Sequence, residues 1–214
     1  MPIDVNLRNR AWLLGLVRVA NWAGLRPVSN QHVHALVFLA NSLAPIYQDE
    51  GVETRVVKQA LGPFYPDAQW DLDRMVGQEL LTVSSERLSL TKDGWMLNAC
   101  YEVTGRGIEL VTQCRQSPIL DRSYNFLLEL AAAFASLSVD ERNTAPLEDA
   151  IYSIPGRPNG TALVFENADD NYSVLTASAF DELVGAELTL TPKDRVHLYL
   201  RYLARSAQAR EAKT

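Results

Sequence analysis

The run from Leu80 to Thr91 restricts the fold more than any other part of the chain. It reads Leu81-Thr82-Val83, then Ser84-Ser85-Glu86, then Arg87-Leu88-Ser89-Leu90. Two short β-prone runs around a polar turn predict a two-stranded hairpin. Such a hairpin is not stable by itself, so it must rest on neighbouring helices. The preceding segment supplies one. Pro66-Asp67 suits a helix start, with the carboxylate on the positive end of the dipole, and Leu72, Met75, Val76 and Leu80 make its buried stripe. After the hairpin, Thr91 suits a helix cap. The sequence then reads as a long helix with Leu97, Cys100, Thr104, Ile108 and Val111 on one face, bent at Gly105 and Gly107.

Upstream, a first helix is expected over 5–23, ended by Gly24 and Pro27. Ser29 or Asn30 caps a second reaching Ala44, with Val33, Leu36, Val37, Ala40 and Leu43 as one stripe. Residues 52–61 suit either a short helix or a strand. Helix, connector, helix, two-stranded wing, helix is the order of a winged-helix module. The expected fold is therefore mainly α (α+β). A winged-helix module with its N-terminal helix occupies 1–122, and a mainly helical C-terminal half, 123–214, packs on it. In that half, helices are expected over 124–137 and 176–184, with a short one over 147–152. A strand is expected over 162–165, and a last helix starts at Thr191-Pro192 with Val196, Tyr199, Leu200 and Leu203 inward and Arg201 and Arg205 outward.

No apolar run reaches the length of a membrane span, and Met1-Pro2-Ile3-Asp4 followed by a helix carrying Arg8, Arg10 and Arg18 is not a signal peptide. On one helix, Cys100 and Cys114 would stand roughly 21 Å apart, too far for a disulfide. A reducing cytoplasm is the expected compartment. The net charge of −6 is unevenly spread. Residues 140–190 hold ten acidic and two basic side chains, and residues 191–214 hold six basic and two acidic. The basic end either steers toward an anionic partner or is a solvated helix end.

The residues of common chemistries are missing or misplaced. His32 and His34 point about 200° apart on a helix and cannot share a metal, and His197 stands alone. Asn167, Asp169 and Asn171 alternate like calcium-loop ligands, but Tyr172 replaces the glycine and Ser178 the bidentate glutamate. Gly105-Arg106-Gly107 lacks a third glycine. Asp71 and Asp73 face apart on a helix, which does not suit paired acid–base work. No enzyme activity, metal, cofactor or small-molecule substrate is expected.

In a DNA-reading winged helix, the helix before the wing enters the major groove. Here that helix and the residues after it carry Asp67, Asp71, Asp73 and Glu79 against Arg74, a poor match to a polyanion. A helical wheel puts Trp70 roughly 160° from Leu72, beside Gly77. An exposed indole ringed by carboxylates suits a protein partner, and the alternative is cover by the chain's own second half. The expected partner interface is Trp70, Asp67, Asp71 and Arg74, extended by Phe64 and Tyr65.

The stretches Ala23-Gly24-Leu25-Arg26-Pro27, His34-Ala35-Leu36-Val37-Phe38-Leu39-Ala40-Asn41, Gly62-Pro63-Phe64-Tyr65-Pro66 and Trp70-Asp71-Leu72-Asp73-Arg74-Met75-Val76-Gly77 resemble the small middle component of ABC-three-component systems, the SMC-related anti-phage operons of the Lamassu type. The likeness spans about residues 12 to 95. It implies a non-catalytic scaffold or regulatory subunit, beside a coiled-coil SMC/Rad50-like ATPase and a nuclease effector, that bridges or restrains the effector. DNA would then be met through the complex. Two other readings stand beside it. One is a winged-helix transcription regulator using Arg87, with Lys92 or Arg106, on phosphates. The other is an adaptor whose basic end, through Arg201, Arg205 and Arg210, touches DNA held by a partner.

Overall fold

A computed structural model of the chain describes residues 5–49, 51–52, 55–91, 94–165, 171–184 and 189–212. Helix α1 (Val5–Trp22) buries Trp12, Leu13, Leu16, Val17 and Ala20. The two-residue strand β1 (Val28–Ser29) follows, and the Ser29 hydroxyl accepts from the His32 N–H at 3.2 Å to cap α2 (Asn30–Leu43). Every residue of α2 from Val33 to Leu43 is buried. The expectation of a single stripe understates this helix: its small and apolar residues run all round, which suits a helix enclosed on every side.

Pro45 sits in a 3-10 turn (Ala44–Tyr47) that ends α2. The ambiguous segment after it is strand β2 (Val56–Gln59), paired antiparallel with β3 (Gly62–Phe64). Helix α3 (Pro66–Gly77) begins at the expected proline and buries Ala68, Leu72 and Met75.

The hairpin differs from expectation in a way that changes the next element. Ser84-Ser85-Glu86 is not its turn. Strand β4 (Leu81–Thr91) runs through it, with a bulge between Ser84 and Arg87 where Ser85 takes a φ of 57°. One residue at positive φ can open a bulge without reversing the strand. Residues 94–103 then form strand β5 (Gly94–Val103), not the start of a helix capped by Thr91. The period is two: Ala99, Tyr101 and Val103 are buried, while Asn98, Cys100 and Glu102 lie between them half-exposed. Sheet order is β1-β5-β4, with Val28 opposite Tyr101 and Leu81 opposite Val103. Asn21, near the end of α1, holds β5 to the helix. Its Oδ1 accepts the Val103 N–H at 2.9 Å, and its Nδ2 donates to Leu25 and Tyr101 carbonyls at 3.3 and 3.4 Å. Beyond the bulge Leu88 and Leu90 are each 69% exposed.

Thr104 caps α4 (Gly105–Cys114) through the Gly107 N–H. Gly107 is required by close approach, not by bending. A Cβ there would stand 2.8 Å from Val103 Cγ2 and still closer to the Leu80 carbonyl oxygen. Gly107→Ala is expected to destabilise by about 1–3 kcal/mol, read as a lowered urea midpoint. Gly105→Ala has open space for its methyl and serves as the control.

Helix α5 (Pro118–Ala135) packs along α1, and the boundary expected after residue 122 falls inside it. Buried side chains from α1 to the last helix form one continuous core. Helix α6 (Val139–Thr144) leads into a 3-10 turn (Ala145–Glu148), and of the short helix expected over 147–152 only Leu147 and Glu148 are helical, at the end of that turn. Strand β6 (Ala162–Leu163) joins the sheet β3-β2-β6. Helix α7 (Tyr172–Val184) precedes α8 (Pro192–Glu211), which starts with a capping box between Thr191 and Asp194 and buries Val196, Tyr199, Leu200 and Leu203. The chain is mainly helical with small antiparallel sheets. Among the described residues no helix is long and apolar enough to cross a membrane.

Candidate functional site

Helix α3 places its outward side chains on one face because its apolar residues keep a helical period. Ala68, Leu72 and Met75 turn in, and Asp67, Trp70, Asp73, Arg74 and Gly77 are exposed. Trp70 is 62% exposed. The Arg74 guanidinium lies over its ring, 5.4 Å from the centroid, a cation–π contact that holds the indole against the helix. Gly77, on the same face, has open space where a Cβ would be. The alternative, that the second half of the chain covers Trp70, does not hold.

Two of the expected interface residues do not belong to this face. Tyr65 is fully buried, stacked at 6.4 Å on the His34 ring, with the Asn41 amide donating to its hydroxyl at 3.3 Å. The Pro66 helix start turns its side chain inward, and burial raises the phenol above its usual range. Asp71 is only 17% exposed and accepts from Arg10 Nε of α1 at 2.9 Å, with Arg74 Nη1 at 3.5 Å. Phe64 is half-buried, 4.8 Å from the His34 ring, and only borders the face.

The acidity of the helix is smaller than the sequence suggests. Asp71 is paired, and exposed Glu79 stands 3.8 Å from Arg106. Asp67 and Asp73 remain beside Arg74, and Asp73 accepts from Gln69 Nε2 at 2.9 Å.

Behind the face, Gln69 bridges inward. Its Nε2 donates to Tyr101 Oη of β5 at 3.0 Å, and its Oε1 lies 3.3 Å from His34 Nε2. The Tyr65 N–H points at His34 Nδ1 at 3.3 Å. Nδ1 must therefore accept and Nε2 donate, which selects one neutral tautomer. Burial pushes this histidine down to about 4. His32, half-buried, meets Asn143 Oδ1 at 2.9 Å and Phe134 edge-on, and burial lowers it too. His197 Nε2 is 3.9 Å from Glu129. The histidines thus sit in separate places, and among the described residues no group of three His, Cys, Asp or Glu is arranged to hold a metal. Cys100 and Cys114 are free thiols on β5 and α4. The argument that separated them along one helix fails, because no such helix exists.

The expected nucleic-acid arginines are dispersed. Arg87 is exposed on β4 at the bulge, and Arg205 is exposed on α8. Arg201 donates at 3.4 Å to the Ser136 carbonyl and hydroxyl at the end of α5. Arg210 pairs with Glu148 at 2.7 Å. Part of the C-terminal segment faces the acidic one: Arg195 meets Asp181 at 2.8 Å, and Gln208 donates to Glu141 at 3.1 Å. Lys92 and the turn at Asn167 and Asp169 lie outside the described residues.

No protein-family model, curated protein or solved structure matches the chain.

One polar cluster had no signal in the sequence, because its members are far apart along it. Asp149 is fully buried and accepts from Tyr199 Oη at 2.8 Å, Ser173 Oγ at 3.0 Å and the Ile151 N–H at 2.9 Å. Burial raises its carboxyl, and the hydrogen bonds from Tyr199, Ser173 and the backbone oppose that rise. Asn171, next to Ser173, donates to the Ser42 carbonyl of α2 at 3.0 Å. This cluster ties α7 and α8 to the core.

Proposed function

We propose that the chain is a non-catalytic scaffold or regulatory subunit that docks a protein partner on the α3 face. The observation that carries this reading is Trp70, a large aromatic held by Arg74 and left uncovered on the otherwise polar outer face of α3. Tryptophan and arginine are the side chains most enriched where binding energy concentrates. The order of α1, β1, α2, α3 and the β4–β5 hairpin, with sheet order β1-β5-β4, supports reading this part as a winged-helix module with β2–β3 inserted. On that reading α3 occupies the groove-reading position, yet it offers one arginine beside two aspartates. This favours a polypeptide over a duplex.

The resemblance described above supplies the partner class: a coiled-coil SMC-like ATPase with a nuclease effector in an anti-phage complex. The chain would bridge or restrain the effector, and ATP and metal chemistry would belong to the partners. The test is co-expression with the genes that flank this one, followed by affinity capture. A coiled-coil ATPase with Walker motifs is expected to co-purify. Trp70→Ala should lower its affinity at least tenfold, in the range of an interface anchor, with no change in the melting temperature of the free chain. A partner-free protein that confers full activity alone would reject the reading.

The exposed Arg87 beside the bulge favours a second reading, a winged-helix regulator led by its wing. It requires tight, salt-dependent binding of the isolated protein to a specific duplex, lost in Arg87→Ala.

A further inference from the structure

Beyond its bulge the β4–β5 hairpin carries an apolar face that this chain leaves open. Ala99, Tyr101 and Val103 mark the inner side of β5, and the period of two continues that side to positions 97 and 95. The register sets Leu88 opposite position 97 and Leu90 opposite position 95. Directly opposed residues of an antiparallel pair share a face. The sequence has leucine at 97 and tryptophan at 95. Leu88 and Leu90 are mostly exposed, so the side that is core at Tyr101 lies in solvent further along the hairpin.

Helix α3 borders the same side. Gln69 Nε2 donates to Tyr101 Oη at 3.0 Å and to Asp73 Oδ1 at 2.9 Å, which fixes that edge of α3 against the inner face of β5. On the helical wheel Asp73 stands between Gln69 and Trp70, so α3 runs from the sheet through a carboxylate to the exposed indole. Glu86, at the bulge, comes to the same place from β4. Burial raises the Tyr101 phenol, the Gln69 hydrogen bond opposes that, and the charges of Asp73 and Glu86 raise it further. Among the described residues no ion pair reaches Asp73 or Glu86. Arg74 turns to Asp71 at 3.5 Å, and Arg87, opposite Asn98, belongs to the other face of the hairpin.

The helix and the hairpin thus make two walls that meet at Gln69 and Tyr101, with Trp70 on one, Leu88 and Leu90 on the other, and two unpaired carboxylates between. A wholly apolar partner would strand those carboxylates, and an acidic one would be repelled. Cations beside an apolar stripe satisfy both, and an amphipathic helix offers that pattern. The walls also match in length: five strand residues past the bulge span about 17 Å and α3 about 18 Å, each three helical turns. We propose that the groove between α3 and the hairpin takes a basic amphipathic helix of the partner protein, with its apolar stripe on Trp70, Leu88 and Leu90 and its cations on Asp73 and Glu86. The proposal rests on the reading that α3 docks a polypeptide, and it extends that contact to the wing.

Fluorescence anisotropy with the full chain would use three labelled peptides of about 18 residues. One is a helix with a leucine stripe and lysine at its polar positions, one has glutamate at those positions, and one is the lysine peptide scrambled so that the stripe is lost. Saturable binding is expected for the lysine helix alone. Leu88→Ser with Leu90→Ser should weaken it at least tenfold, and because both side chains are exposed the melting temperature should not change. Asp73→Lys with Glu86→Lys should weaken it as much and admit the glutamate helix, an exchange that neither misfolding nor general stickiness produces. The proposal is overturned if the lysine helix does not saturate, if the scrambled peptide binds as well, or if charge reversal leaves the preference unchanged. Loss in Trp70→Ala but not in the leucine variant would keep docking on α3 and remove the wing from it. Loss in the leucine variant but not in Trp70→Ala would remove α3. Either pattern overturns the joint groove.

Discussion

Asp149→Ala is expected to cost the fold about 3–5 kcal/mol, the range for removing one partner from a buried charged network. The carboxylate is the shared acceptor for Tyr199, Ser173 and the Ile151 N–H, and all three would be left in the interior without it. Each stranded donor costs about 1–3 kcal/mol. The loss is not the full sum, because removing the carboxylate also relieves the desolvation that raises its pKa. Asp149→Asn keeps an acceptor and is expected to cost less, and Tyr199→Phe, which removes one donor, less again. Urea unfolding of the three variants and of the Asp149–Tyr199 double variant measures the coupling directly. An Asp149→Ala protein within 1 kcal/mol of the parent would mean that the interior rearranges to absorb the donors.

The second large effect is acid sensitivity set by His34. The unfolded chain takes up a proton at an ordinary histidine pKa near 6.5, whereas the folded chain holds His34 neutral down to about 4. Between those values the unfolded state binds more protons, so stability falls as pH falls. A depression of this size corresponds to a loss on the order of 3 kcal/mol across the window. Nearby groups do not supply a counter-charge: His34 meets Gln69, the Phe64 and Tyr65 rings and the Tyr65 N–H. His32 is lowered by burial and adds to the trend, while Asp149, raised by burial, acts against it. Comparison with His34→Asn, which keeps an acceptor for the Tyr65 N–H, isolates the histidine. The parent's urea midpoint should fall more steeply from pH 7 to 4.5 than the variant's. Parallel curves would show that His34 takes up its proton equally in the folded and unfolded states.

The parts of this fold that could be read from the sequence are those where local chemistry and packing agree. Ser29 and Thr191 cap helices as their side chains require, and Pro66 opens α3 with Leu72 and Met75 inward. The failures come where two periods compete. From Gly94 to Val111, apolar residues satisfy a helical stripe and a strand alternation at once, and long-range pairing with β4 and β1 decides for the strand as far as Val103. The Trp70 face was legible because one helix carries all of it. Tyr65 and Asp71 were misplaced because their partners, Asn41, His34 and Arg10, lie on other helices. Asp149 gathers Ser173 and Tyr199 from 24 and 50 residues further along the chain, and no spacing along one segment announces them.

The complete enclosure of α2 has a consequence for biogenesis. This helix is made early, but parts of its cover, among them Tyr101 on β5, Phe126 and Phe134 on α5, and Asn171 at the start of α7, are translated much later. While the ribosome works through that interval, a stretch of Val, Leu and Phe waits without its neighbours. The nascent chain therefore passes through a period in which chaperone capture competes with self-association until α7 is made.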